Sequence, residues 1–243
     1  MTEDGYFDDT VARTYDQDTG GDLTLAGQIA ATLHALSGGG TALEFAIGTG
    51  RIALPLIRLG TPVKGIELSR AMVSELRRKP GGPLVTVAIG DMTTTRIAGQ
   101  FSLVYLVFNT IDNLTTQDAQ VACFQNAAAH LAPGGRFVIE TQVPPLQKIP
   151  FGETTHAFAC NPGHWGIDSF DLVTQTYTSN HIWFTDGPPR HLTIPFRYAW
   201  PAELDLMARL AGLTAEFRWS DWTRTPFTAS SAKHISIWRK PSP

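Results

Sequence analysis

Ala42-Leu43-Glu44-Phe45-Ala46-Ile47-Gly48-Thr49-Gly50 carries an apolar strand into a glycine-rich turn, and Ile52, Leu54, Leu56 and Ile57 mark an amphipathic helix behind it. Glycines at such a turn let backbone amides approach a ligand closely, and the helix N-terminus adds the positive end of its dipole. Gly48-Thr49-Gly50-Arg51-Ile52-Ala53 also satisfies the dinucleotide fingerprint, with Ala in the third glycine place. The turn alone therefore leaves a nicotinamide nucleotide open. The acids around it narrow the choice.

Glu44 lies at the strand end, where a carboxylate would repel a pyrophosphate. A second apolar run, Val63-Lys64-Gly65-Ile66, ends in Glu67. A third, Leu84 to Ile89, ends in Gly90-Asp91-Met92. Three successive strand-like runs thus carry an acid at or near their C-terminal ends, roughly two dozen residues apart. Ligands of open α/β sheets bind outside the carboxyl ends of the strands, so all three acids can face one crevice. The fitting ligand is elongated and positively charged, donates hydroxyls and an amine, and lacks a pyrophosphate. S-adenosylmethionine has an ammonium, a sulfonium, a ribose diol and an exocyclic adenine amine.

Glu44 to Gly50, Glu67, Gly90-Asp91-Met92 and Leu131-Ala132-Pro133-Gly134-Gly135 resemble the successive motifs of the class I S-adenosylmethionine-dependent methyltransferases. The resemblance is strong over residues 6 to 140 and weaker beyond. It implies that the glycine loop passes the methionine part of the cofactor, that Glu67 holds the ribose hydroxyls and that the Gly-Asp-Met turn contacts the adenine. The cofactor-binding set expected on this basis is Tyr15, Glu44, Ala46, Gly48, Thr49, Gly50, Glu67, Leu68, Met72, Asp91, Met92 and Phe108. Tyr15 is similar to an N-terminal tyrosine that closes over the cofactor in many small-molecule members. The pattern from Ala202 to Leu213, with Pro226 to Ser231, is similar to a subgroup that includes enzymes methylating the amino terminus of modified peptides. It transfers no catalytic residue.

The chain of 243 residues is 43% hydrophobic and 17% charged, which suits a folded protein with a substantial core. A net charge of −3 without a basic stripe argues against a nucleic-acid partner, because phosphate neutralisation supplies most non-specific affinity. Cys123 and Cys160 form no metal-binding spacing, and Cys123 falls on an apolar helical face as a buried thiol. The polar start and the lack of a long apolar run lead to the expectation of a cytoplasmic protein with no membrane contact.

Alternating strand and helix patterns up to Glu140 predict a doubly wound parallel sheet. Strands near 213–220 and 233–239 would complete a seven-stranded, Rossmann-like α/β fold with an antiparallel last strand. The expected organisation is an N-terminal lid segment, 1–22; a cofactor-binding core, 23–142; a β-rich, substrate-binding lid inserted after the fifth strand, 143–199; and a C-terminal completion of the core, 200–243. Within the insertion, prolines 144, 145, 150 and 162 suggest a loop or short strand excursion over 143–165. Strands at 172–185 and 190–199 flank Asp186-Gly187-Pro188-Pro189, a hairpin signal.

Methyl transfer from a sulfonium needs proximity, alignment and a dry site more than a catalytic triad. An amine acceptor need only be neutral, whereas a hydroxyl benefits from a base, and no base is legible. The expected activity is transfer to an amine or hydroxyl of a small molecule or modified peptide. The alternatives are an NAD(P)-dependent oxidoreductase and a non-catalytic S-adenosylmethionine-binding regulator. Tyr6, Asn109, Arg197 and Tyr198 are the candidate substrate contacts. Asn109 reads equally as a turn former, and Arg197 as part of an edge strand. His130 reads as a charge at a helix C-terminus. His156 and His164, in the insertion, could serve as a base but read first as surface residues, and His181, His191 and His234 read as structural or solvent-facing.

Overall fold

Successive side chains of a strand point to opposite faces. In β1 (Ala42–Phe45), Leu43 and Phe45 therefore enter one hydrophobic core, while Ala42 enters the other and Glu44 shares its face. The computed structural model describes residues 6–18 and 23–242. Readings that fall on residues 1–5 and 19–22 lie outside them.

Around β1 the chain builds α1 (Asp9–Asp18), α2 (Leu23–Ser37), α3 (Ala53–Arg58), β2 (Val63–Glu67), α4 (Arg70–Arg78), β3 (Thr86–Ile89), β4 (Phe101–Leu106), α5 (Gln117–His130) and β5 (Leu131–Gln142). After the insertion come α6 (Pro201–Leu210), β10 (Thr214–Trp219) and β11 (Lys233–Arg239). The sheet order is β10-β11-β5-β4-β1-β2-β3, with β11 antiparallel to β5. This is the expected seven-stranded doubly wound fold. The order reverses between β1 and β4, and a crevice opens there at the carboxyl ends of the strands.

Both faces are closed by helices. Ile29 and Leu33 of α2 pack with Leu56 of α3 on one side, and Phe124 of α5 packs with Leu204 of α6 on the other. Burying each such side chain contributes roughly 1.5–3 kcal/mol. Ser69 and Thr116 cap α4 and α5, accepting the amides of Met72 and Ala119. Cys123 is buried in the α5 core, as its helical position implied.

Between β5 and α6 lies a second, four-stranded antiparallel sheet: β6 (Thr155–Asn161), β7 (His164–Asp171), β8 (Thr176–Trp183) and β9 (Arg190–Arg197). The hairpin around Asp186-Gly187 forms as expected. Residues 143–165, expected as a loop or short strand excursion, contain all of β6 and the start of β7, and the strand expected at 172–185 starts only at Thr176. The reason is exposure: β6 buries little on either face, so it lacks the apolar alternation that marks a half-buried strand. Its register against β7 defines it. Phe170, Tyr177 and Tyr198 form a small core beneath this sheet. Tyr177 donates its hydroxyl to Asp112 at 3.1 Å, which pins the insertion to the turn after β4.

Candidate active site

The carboxyl ends of β1, β2, β3 and β4 open into a cavity of about 850 Å³, floored by the core sheet and roofed by β6 to β9. Glu44 sits on its floor, 4% exposed, and its Oε2 accepts the hydroxyl of Tyr105 at 3.0 Å. Burial raises its pKa to about 8; the Tyr105 hydrogen bond opposes the shift and Glu67 adds to it. Glu67, 6% exposed, accepts the amides of Gly48 at 2.7 Å and Ser69 at 2.9 Å. Asp91 is exposed at the rim, and its Oδ1 accepts the Thr93 amide at 2.7 Å.

Of the expected cofactor set, Tyr15, Ala46, Gly48, Thr49, Leu68, Met72, Met92 and Phe108 also line the cavity. Gly50 does not. It is buried with φ +74°, and a Cβ there would come within 2.3 Å of Leu76 Cδ1. It fits α4 against the turn. Gly48, with φ +56°, faces the cavity beside Met72. Among the expected substrate contacts Asn109 lines the cavity, whereas Tyr6, Arg197 and Tyr198 do not. Arg197 is buried in an ion pair with Glu203 at 2.7 Å and also donates to Gln120. Burial without a partner would be too costly for a guanidinium, so it braces the exit of β9. Tyr198 belongs to the insertion core.

Positive φ in non-glycine residues gathers at the cavity. Ala46 has φ 52°, and Phe108 and Asn109 both have φ 58°. Such conformations persist where surrounding contacts over-determine them. Asn109 Oδ1 accepts the Gln142 amide at 2.7 Å, and Phe108 lies under the Arg51 guanidinium, 3.8 Å from its ring centroid. The Tyr15 ring centroid lies 6.0 Å from the same guanidinium. Helix α1 is fastened over the glycine turn by Asp16, which takes the Thr49 hydroxyl at 2.6 Å and pairs with Lys79.

Several participants were not visible in the sequence. Asp168, Tyr177 and Ser179 line the roof, with His156 and His181. The two histidines were expected on the surface or as structural residues. The alternation of β8 turns Tyr177, Ser179 and His181 to one face, and that signal was readable only once the strand start was known. Ala229 to Ala232 add the edge after Phe227. His130 corrects another expectation. It is buried, its Nδ1–H donates to the Asn126 carbonyl at 2.8 Å, and its Nε2 accepts the Ile97 amide at 3.1 Å. Burial lowers its pKa, so the ring is neutral. Among the described residues no helix is long and apolar enough to cross a membrane.

A doubly wound sheet with acids at the carboxyl ends of its first three strands defines a class: proteins that seat a cationic, hydroxyl-bearing nucleoside at the switch point. The donor set fits S-adenosylmethionine, because Glu67 can accept from a ribose diol and Glu44 can ionise beside an ammonium. Comparison with known proteins agrees. Residues 42–135 match the methyltransferase domain family. The structure resembles the CcbJ methyltransferase from Streptomyces caelestis, with 34% identity, a TM-score of 0.87 and 98% of each chain covered. The cypemycin N-terminal methyltransferase of a Streptomyces species is 24% identical over 98% of both chains. The dTDP-3-amino-3,4,6-trideoxy-alpha-D-glucopyranose N,N-dimethyltransferase of Streptomyces venezuelae is 33% identical over 40% of each. The chain belongs to the class I S-adenosylmethionine-dependent methyltransferases. It is an enzyme, its cofactor is S-adenosylmethionine, and the nicotinamide reading of Gly48 to Ala53 falls away.

Proposed function

We propose that this enzyme methylates an amine carried by a small molecule or a peptide. The observation that carries the reading is full-length similarity to an N-terminal methyltransferase, joined by a shorter match to an amino-sugar dimethyltransferase. The cavity agrees with it: four acids, Glu44, Glu67, Asp91 and Asp168, and six phenylalanine or tyrosine rings stand in its lining, groups suited to a cation.

In this reading Glu67 holds the ribose hydroxyls and Glu44 the ammonium end of the cofactor. Asp91 and Met92 flank the adenine, and Gly48 gives the backbone close approach. The bound cofactor supplies a methyl group already activated by the sulfonium charge. Arg51, over the Phe108 ring and near Tyr15, closes the entrance beside the N-terminal segment. The insertion over residues 143–199 acts as a substrate-binding lid that excludes water and selects the acceptor.

The test is a mass-spectrometric screen of matched amines and alcohols with S-adenosylmethionine. Gain of one methyl group on amines, and none on the matching alcohols, is the expected result. Transfer to alcohols alone would overturn the reading.

A further inference from the structure

The roof of the cavity holds a polar group that the reaction described so far does not use. Across the second sheet, Asp168 of β7 is paired with Ser179 of β8 and with His156 of β6. All three line the cavity. Asp168 is only 8% exposed, and its Oδ1 has no hydrogen-bond partner among the described residues. Ser179, its neighbour across the strand pair, favours the ionised form of its carboxyl group. Ser179 Oγ in turn lies 3.2 Å from His181 Nε2, and His181 Nδ1 lies 3.0 Å from His164 Nε2. Around this line of polar groups the roof is apolar and aromatic, with Phe158, Tyr177, Ile194 and Phe196.

A buried carboxylate oxygen without a donor is costly, and a cationic donor compensates it better than a neutral one. Aromatic walls also favour a cation. Strand pairing fixes Ser179 and His156 on either side of Asp168, so the acceptor is held in place by the sheet. Burial raises the affinity of Asp168 for a proton, against the opposing effects of Ser179 and His156. That is the property a proton acceptor for an ammonium needs.

We propose that Asp168 seats the amino group of the substrate and frees its lone pair. The carboxylate binds the arriving ammonium and takes one proton from it. The N–H electron pair stays on nitrogen, and the proton becomes the O–H of Asp168. Ser179, His181 and His164 are positioning residues, joined to one another by hydrogen bonds beside the carboxyl group. This inference rests on the amine reading above and adds the residue that receives the amine.

The test is calorimetric titration of benzylammonium, with benzyl alcohol as control, into enzyme saturated with S-adenosylhomocysteine. Asp168→Asn should weaken benzylammonium binding at least tenfold and leave benzyl alcohol binding unchanged. Ser179→Ala should weaken it a few-fold, and Ser179→Thr should restore it. Unchanged S-adenosylhomocysteine affinity in each variant reports an intact fold. Were Asp168→Asn to lose that affinity, the unaltered enzyme decides: benzylammonium must shift the side-chain carboxyl carbon resonance of Asp168, and no shift overturns the inference. Equal benzylammonium affinity in wild type and Asp168→Asn, or none in wild type, also overturns it. Methyl transfer to amines that ignores Asp168→Asn defeats this inference and leaves the amine reading standing. Asp168-dependent benzylammonium binding with no amine methylated does the reverse.

Discussion

The carboxylate of Glu67 accepts the amide of Gly48 at 2.7 Å, which ties the last residue of β2 to the glycine turn that follows β1. Its other oxygen takes the Ser69 amide, and Ser69 both caps α4 and donates its hydroxyl to the Phe7 carbonyl at 2.6 Å. One acid therefore organises the turn, the start of the next helix and the N-terminal segment. We propose the same residue for the ribose hydroxyls, so that scaffold and ligand contact would coincide in it.

Substitution of Glu67 should expose both roles. Glu67→Ala leaves two buried amides without their acceptor and should weaken S-adenosylhomocysteine binding by about 1–3 kcal/mol, with a lowered melting temperature. Glu67→Gln keeps one acceptor oxygen and should fall between. Calorimetry checks this, and an unchanged affinity in Glu67→Ala would remove the residue from the cofactor site.

The two glycines of the turn should separate stability from binding. Gly50→Ala forces a side chain into positive φ against Leu76 and should cost about 1–3 kcal/mol in denaturant unfolding. Gly48→Ala sets its Cβ 3.3 Å from Met72 Cε at the cavity wall and should act mainly on cofactor affinity. Titration of both variants with S-adenosylhomocysteine tests the contrast. A Gly50→Ala protein of normal stability would contradict it.

Cofactor binding should release protons. With a pKa near 8, Glu44 is largely protonated at pH 7 in the free enzyme. A neighbouring ammonium favours its ionised form. Calorimetry at pH 7 in buffers of different ionisation enthalpy should show proton release approaching one per cofactor in wild type and a smaller release in Glu44→Gln. Equal release from both proteins would place the cation elsewhere.

The pin between core and insertion should make stability fall as pH rises. Burial raises the pKa of Asp112 from 3.8 to about 7, although Gln142, Tyr177 and Thr141 all donate hydrogen bonds to it. Below about pH 4 both folded and unfolded states hold the proton. Above that the unfolded chain loses it first, so stability drops until the folded group ionises near pH 7. Glu44 acts in the same direction up to about pH 8. Asp112→Asn should therefore flatten the decline between pH 4 and 7 without abolishing it, as denaturant unfolding across that range would reveal.

Helix α1 is held over the glycine turn by Asp16 through Thr49 and Lys79, and Ala12 packs it on Ala71 and Met72 of α4. Segments that open to admit a ligand come from the less stable end of a fold. Amide exchange in residues 9–18 should slow when S-adenosylhomocysteine binds, and Tyr15→Phe should lower turnover modestly. Equal exchange in both states would make α1 a fixed part of the scaffold.

Most of the floor of the site was legible in the chain itself. Glu44, Glu67 and Asp91 stand at strand ends separated by one βα unit each, and a parallel sheet must bring such ends to one edge. The apolar alternation of Leu43 and Phe45, the glycine turn and the closing antiparallel strand followed from local pattern for the same reason. The separate duties of Gly48 and Gly50 were not legible, because one faces the cavity and the other Leu76 of a helix more than twenty residues on. Arg197 carried the composition of a binding residue, yet its partners Glu203 and Gln120 come from two different helices. Asp168, Ser179 and His181 meet only through the register of β7 against β8, which neither strand's own pattern encodes. The sequence alone determined what local spacing and alternation encode: the sheet, the turn and the acids along its edge. Tertiary structure decided the roof, because which side chains meet there depends on strand pairing and burial, and these arise from the whole chain.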